Sequence, residues 1–256
     1  MNDKHFKFST SVLALPLFFV LSLWIVFWAE RRFGIDLIEF GIYPRTFSGL
    51  KGIVFSPFIH GNIKHLLNNT FPLLILMAAL RFFYRAQSLY VLGFGILFSG
   101  FITWGIGRNS YHIGASGLIY VLVSFIFFKG IITKYYRLVA LSLTVVTFYG
   151  GMIWYVFPGL GDESVSWEGH LAGLITGFAF AIGFKTAQYQ KPIKYDWESP
   201  DYDASQDKFM QRFDENGNFV NLPKEEPQEI VDSYFVSDIP VFYEFVETKN
   251  ESKPES

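Results

Sequence analysis

The feature that most constrains this chain is a series of uncharged stretches, each close to the length of a bilayer. Val12–Ala29 runs 18 residues without a charge, Ser88–Gly107 and Asn109–Phe128 run 20 each, and Leu138–Gly161 runs 24. Two shorter stretches, Leu66–Leu80 with 15 residues and Gly169–Phe184 with 16, complete the set. A hydrocarbon core about 30 Å thick takes about 20 helical residues at 1.5 Å each. The two short stretches alone would also suit buried soluble helices. In a chain of spans they predict an all-α membrane protein, a bundle of six transmembrane helices.

Charge then divides the chain. Residues 1–190 hold 14 Lys and Arg against 7 Asp and Glu, whereas residues 191–256 hold 7 against 16. An apolar, weakly basic region is followed by an acidic tail. The expected organisation is a cytoplasmic N-terminal segment over 1–11, a six-span membrane domain over 12–190 and a soluble cytoplasmic tail over 191–256. Only 17% of all residues are charged, against roughly 25% in soluble domains, so a single soluble domain is excluded. The chain has no cysteine, which excludes disulfides, thiolate nucleophiles and Cys-based metal centres.

Val12–Ala29 is too long for a signal-peptide core, and Trp28-Ala29-Glu30-Arg31-Arg32 offers no small-residue cleavage site, so it reads as a retained span. Orientation follows from basic residues in the connections. With the N-terminus inside, the inner segments carry Lys4, Lys7, Arg81, Arg85, Lys129, Lys134, Arg137, Lys185, Lys191 and Lys194. The first outer loop, about 30–64, opposes this with five basic residues. Its Gly41, Pro44, Gly49, Gly52 and Pro57 predict a structured loop at the interface.

Ionisable groups within spans are candidates for function. Spans 2, 4 and 6 enter from the same side. Their first turns carry His65 and Asn69 (i, i+4 on one face), Gly114-Ala115-Ser116-Gly117, and His170. Gly169, Gly173 and Gly177 form a small-residue face on span 6, suited to close helix contact. Such a contact brings the Ser116 hydroxyl within reach of the His170 imidazole, a nucleophile and its base. Tyr120, one turn beyond Ser116, can lay its ring on His170. His65, Asn69 and the Ser116 amide then become donors to an oxyanion. Taken singly, each motif suits packing or capping; their order and shared depth favour chemistry.

The ordered motifs His65-x-x-x-Asn69, Gly114-x-Ser116-Gly117 and His170-x-x-Gly173-x-x-x-Gly177, with the six spans, resemble the rhomboid intramembrane serine proteases over roughly residues 10–190. The resemblance implies a rhomboid-like bundle with a Ser116–His170 dyad and no third acid. It implies oxyanion contacts from His65, Asn69 and the Ser116 amide, with Gly114, Gly117, Tyr120, Gly173 and Gly177 in support. It further implies cleavage of single-span membrane proteins near the outer face, reached between spans 2 and 5 beneath the 158–168 loop. The compact core points to a bacterial inner membrane. The first loop departs from the family: where many members have a Trp-Arg pair, it reads Gly41-Ile42-Tyr43-Pro44-Arg45.

His60 and His112 read as interface residues. No metal is expected, since no His-Glu-x-x-His pattern occurs. No cofactor is expected either, since no glycine-rich stretch has nucleotide-binding spacing. Scattered basic residues argue against a nucleic-acid partner. The tail contains an Asn216-Gly217 turn and a Val/Tyr/Phe-rich stretch over 230–246, and its partner is unknown. Two other functions fit the same residues: a client-binding membrane protein that does not cut, and a transporter with a polar pocket. The paired serine and histidine weigh against the first. The lack of an internal repeat weighs against the second.

Overall fold

The computed structural model describes residues 6–159, 165–186, 195, 197, 201–220 and 244. Lys4, His5, Lys191, Lys194, residues 160–164 of the 158–168 loop, and all of the 230–246 stretch but Glu244 lie outside the described residues. The chain divides into two units, Met1–Lys191 and Pro192–Ser256.

The first unit is an all-α bundle of α1 (Ser11–Phe33), the short α2 (Gly52–Phe55), α3 (Ile63–Phe83), α4 (Ser88–Ile106), α5 (Ser116–Thr133), α6 (Tyr136–Tyr149) and α7 (Trp167–Gly183). Five segments are long and apolar enough to cross a membrane: α1, α3, α4, α5, and α6 together with the 3-10 turns that extend it to Val156. The bundle is that of a multi-pass membrane protein. At 17 residues, α7 is shorter, rising about 26 Å.

The fifth uncharged stretch is not one helix. After Tyr149 the chain tightens into a 3-10 segment, Gly150–Val156, which begins on two consecutive glycines. Nor does the fourth uncharged stretch begin as helix. Residues 107–115 form a loop, and α5 starts at Ser116.

The helices read their ends from local chemistry. Gly34, at φ 63°, closes α1 by donating its N–H to the Glu30 carbonyl. The Asn62 side chain accepts the His65 N–H at the start of α3, and Ser166 caps α7 by accepting from Gly169 N. Within the helices, buried hydroxyls return to their own backbone. Thr70, Ser99, Thr103, Ser142 and Thr176 each donate to the carbonyl four residues earlier. These five hydroxyls need no water, which lipid could not supply.

Helix α5 is the most buried of the five candidate spans. α7 packs on it more extensively than any other pair, and α3, α4 and α6 also pack on α5. The core is apolar around Leu66, Leu73, Leu76, Leu122 and Phe125. The inner basic set needs one correction. Lys129 is not a loop charge but a buried residue of α5, 1% exposed. Its ammonium donates to Ala181 O at 3.1 Å, to Phe184 O, and to Thr186 Oγ1 at 3.2 Å. A cation thereby neutralises the carbonyl end of α7.

In the second unit, short 3-10 turns over Ala204–Gln206 and Met210–Arg212 precede an Asn216-Gly217 turn closed by a Phe213–Phe219 bridge. Gly217 takes φ 80°. The Asp214 carboxylate accepts the backbone N–H of Asn218 and of Asn216, which holds it below the usual carboxylate range.

Candidate active site

The site begins with glycine. A Cβ on Gly173 would lie 2.2 Å from Gly117 O, and one on Gly177 would lie 2.3 Å from Val121 O. Backbones of α5 and α7 therefore touch along this face, which only residues without a side chain permit. His170 sits one turn before Gly173, so close contact delivers it to the first turn of α5. His170 Nε2 is 3.0 Å from Ser116 Oγ.

A backbone group sets the direction of that bond. His170 Nδ1 lies 3.0 Å from the carbonyl oxygen of Tyr155. A carbonyl only accepts, so Nδ1 carries the proton. In the neutral ring Nε2 then presents its lone pair, and Ser116 O–H donates to it. The Tyr120 ring stacks on His170 with centroids 4.2 Å apart and planes at 15°. Its hydroxyl donates to Met152 O at 2.7 Å. The 3-10 segment Gly150–Val156 is thus tied twice, by Tyr120 and by His170. Residue-type patterns could not reveal the Tyr155 contact, because a main-chain acceptor has no letter in the sequence.

His65 and Asn69 reach the same place from α3. Gly114 adopts φ +101°, and a Cβ there would fall 2.5 Å from His65 Cε1 and Nε2 and 3.8 Å from Asn69 Nδ2. Glycine is needed at this position for its backbone and for the imidazole beside it. Asn69 Nδ2 donates to His65 O at 3.0 Å, which leaves its second amide hydrogen for another acceptor. Ser116 is the first residue of α5, so its N–H has no acceptor within the helix. The His60 ring packs edge-on against His65, centroids 4.9 Å apart. His60 is buried, and its Nε2 has no hydrogen-bond partner. Desolvation, reinforced by His65, pushes His60 down to about 4, so it is neutral near pH 7.

A second network joins the 107–115 loop to the start of α7. His112 Nε2–H donates to Arg108 O at 3.1 Å, and Ser166 O–H donates to His112 Nδ1 at 2.6 Å. Burial holds His112 below its ordinary value. Arg108 N donates to Glu168 Oε1 at 3.1 Å, and Arg108 Nη2 donates to Val165 O at 2.9 Å. Glu168 is 1% exposed, the one buried carboxylate among the described residues. Sequence reasoning passed over Glu168 and Ser166. The available signal was an acid two residues before the histidine that opens an apolar helix.

The first loop is held where the Trp-Arg pair is missing. Arg45 donates to Gly107 O at 2.7 Å and to Asn109 Oδ1 at 2.6 Å, while Trp104 Nε1 donates to Thr46 O at 2.9 Å. An Ile42–His112 bridge completes the junction. Beside Ser116 lies a cavity of about 40 Å³, bordered by Ser99, Thr103, His112 and Ser166. Among the described residues, no group of three or more His, Cys, Asp or Glu is placed to hold a metal ion.

These features define a multi-pass helical membrane protein in which buried and half-buried polar side chains from three helices meet at one end. The rhomboid domain matches residues 48–186, more than half of the chain. The protein belongs to the rhomboid family. It is 35% identical to an uncharacterised protein of Mycobacterium tuberculosis over 176 residues, covering 64% of this chain and 71% of that one. It is 36% identical to an uncharacterised Mycobacterium leprae protein over 139 residues, 52% of this chain and 55% of the other. A rhomboid-named protein of Acanthamoeba polyphaga mimivirus is 26% identical over 145 residues, 54% of this chain and 78% of its own.

Proposed function

We propose that the protein is an intramembrane serine endopeptidase that cuts single-span membrane proteins. The observation that carries this reading is the 3.0 Å contact between Ser116 Oγ and His170 Nε2, with Nδ1 held on a carbonyl. Ser116 Oγ attacks the scissile carbonyl as its proton passes to His170 Nε2. The negative oxygen meets the Ser116 amide at the dipole end of α5, with His65 and Asn69 alongside. His170 then gives the proton to the leaving amine, and an acyl ester remains on Ser116. A water attacks the ester as His170 takes its proton; the acyl carbon–Oγ bond then breaks, His170 returns the proton to Ser116 Oγ, and the carboxylic acid product leaves. The cavity beside Ser116, of mixed apolar and polar lining, has room for a water and hydroxyls from Ser99, Thr103 and Ser166 at its border.

Membership of the rhomboid family supports the same reading. In it, α7 is the sixth span, residues 12–190 form the membrane domain, and both chain ends are cytoplasmic in a bacterial inner membrane. The substrate approaches between α3 and α6, which each pack on α5. A peptide bond within a regular helix is shielded, so residues that loosen helices near the cut favour cleavage.

The test is cleavage of a tagged single-span reporter by purified protein. Wild type yields a cut product, Ser116→Ala and His170→Ala yield none, and a chelator changes nothing. A fluorophosphonate labels wild type but not Ser116→Ala. Continued cleavage by Ser116→Ala overturns the mechanism. Capture of the reporter without cleavage or labelling identifies a binding protein instead.

A further inference from the structure

We propose that Glu168 is a positioning residue for the serine–histidine pair, its buried charge supporting the imidazolium that forms on His170. The inference rests on the proteolytic reading above. As Ser116 Oγ bonds to the substrate carbon, its proton moves to His170 and a positive charge appears in a place largely closed to water. Among the described residues no carboxylate is hydrogen-bonded to that ring, whose Nδ1 is engaged by the Tyr155 carbonyl. A carbonyl fixes the tautomer but contributes only a dipole.

Glu168 stands two residues before His170 in the first turn of α7. One oxygen, Oε1, accepts the Arg108 N–H at 3.1 Å. The other, Oε2, is buried and has no hydrogen bond; its nearest cation, Arg108 Nη1, is 3.8 Å away on a side chain that is 40% exposed. A glutamine would accept the same N–H bond without the cost of burying a charge. The negative charge is therefore not required by the backbone bond, and its ion pair with Arg108 is long and partly open to solvent. Side chains at i and i+2 leave a helix on different faces, so the action on His170 is through the field. In a site of low dielectric, a fixed charge acts across several ångströms.

The same carboxylate orders the pair mechanically. Through Arg108 and His112 it joins the 107–115 loop, which runs directly into Ser116, to the first turn of the helix that carries His170. Nucleophile and base are thereby tied from outside their own contact.

The experiment uses the full chain in detergent. It measures the rate of fluorophosphonate labelling at Ser116, kcat and KM for a single-span reporter, and the unfolding midpoint. Glu168→Gln retains the acceptor and removes the charge. Labelling and kcat are expected to fall about tenfold, the factor that corresponds to about 1.4 kcal/mol, with KM unchanged and the midpoint equal to or above that of wild type. Glu168→Asp, which restores the charge one methylene back, regains part of the loss. Wild-type rates in Glu168→Gln overturn the proposal. Equal losses in both variants with a lowered midpoint also overturn it, because they reduce Glu168 to packing. A wild-type protein that neither labels nor cleaves overturns the proteolytic reading and this inference with it.

Discussion

The two ends of the α5–α7 pair handle buried polarity in opposite ways. At the lysine end, Lys129 donates to Ala181 O, Phe184 O and Thr186 Oγ1, so each ammonium hydrogen has an acceptor. At the serine end, polar atoms are held but not exhausted. Ser116 Oγ meets His170, the Ser116 amide has no helical acceptor, and His60 Nε2 and Glu168 Oε2 are buried without hydrogen bonds. Leaving such atoms unpaired costs about 1–3 kcal/mol each. A fold tolerates this where the spare capacity serves another molecule or a transient charge. The same helices therefore carry a closed structural clasp at one end and a polar cluster with spare hydrogen-bonding capacity at the other.

The largest expected effect comes from prising the helices apart between the two ends. Gly173→Val places side-chain atoms where Gly117 O now lies 2.2 Å from the added Cβ. A loss of about 3 kcal/mol or more is expected in unfolding experiments. Residual folded protein should label about a hundredfold more slowly, since displacing a base by about an ångström costs that much. Unchanged labelling would separate the glycine face from the site.

Lys129→Ala comes next and breaks the comparison if it is wrong. It strips acceptors at the far end and should lower stability by about 1–3 kcal/mol. Labelling per folded molecule should not change. A fall in that normalised rate would mean that the two ends are one unit.

Tyr120→Phe sharpens the serine end. The ring still stacks on His170, but the bond to Met152 O is lost. Stability should fall by about 1 kcal/mol, with labelling slowed by no more than about fivefold, the equivalent of that energy.

The smallest effect is a pH dependence. His60 is held near 4, below the 6.5 of a free imidazole, so the folded chain resists its protonation. Its contribution to stability is complete above pH 6.5 and declines as pH falls through 6.5 toward 4. The unfolding midpoint should drop between pH 7 and pH 5, and His60→Gln should reduce that drop. His112 shifts in the same direction, so some dependence persists.

Apolar length and the order of polar residues made the bundle legible in the sequence. They also placed His65, Asn69, Ser116 and His170 at a common end. What stayed hidden depends on main-chain atoms or on a side chain's surroundings. Tyr155 contributes a carbonyl, which no residue letter encodes. Lys129 reads as one more loop cation until its helix is seen to bury it. Arg45, at φ 57°, anchors the first loop through backbone acceptors 60 and 62 positions away. The break in the fifth stretch at Gly150-Gly151 gives no hydropathy signal at all.

The separation of Ser116 and His170 along the chain also has a consequence during biosynthesis. Residues leave the ribosome in order, so the hydroxyl is made 54 positions ahead of its partner. Until the last helix has joined the others, the serine has no base, and Tyr120 has no imidazole beneath its ring. On the proteolytic reading, a half-inserted polypeptide is chemically silent toward its neighbours in the translocation machinery, and competence arrives only with the helix that carries His170.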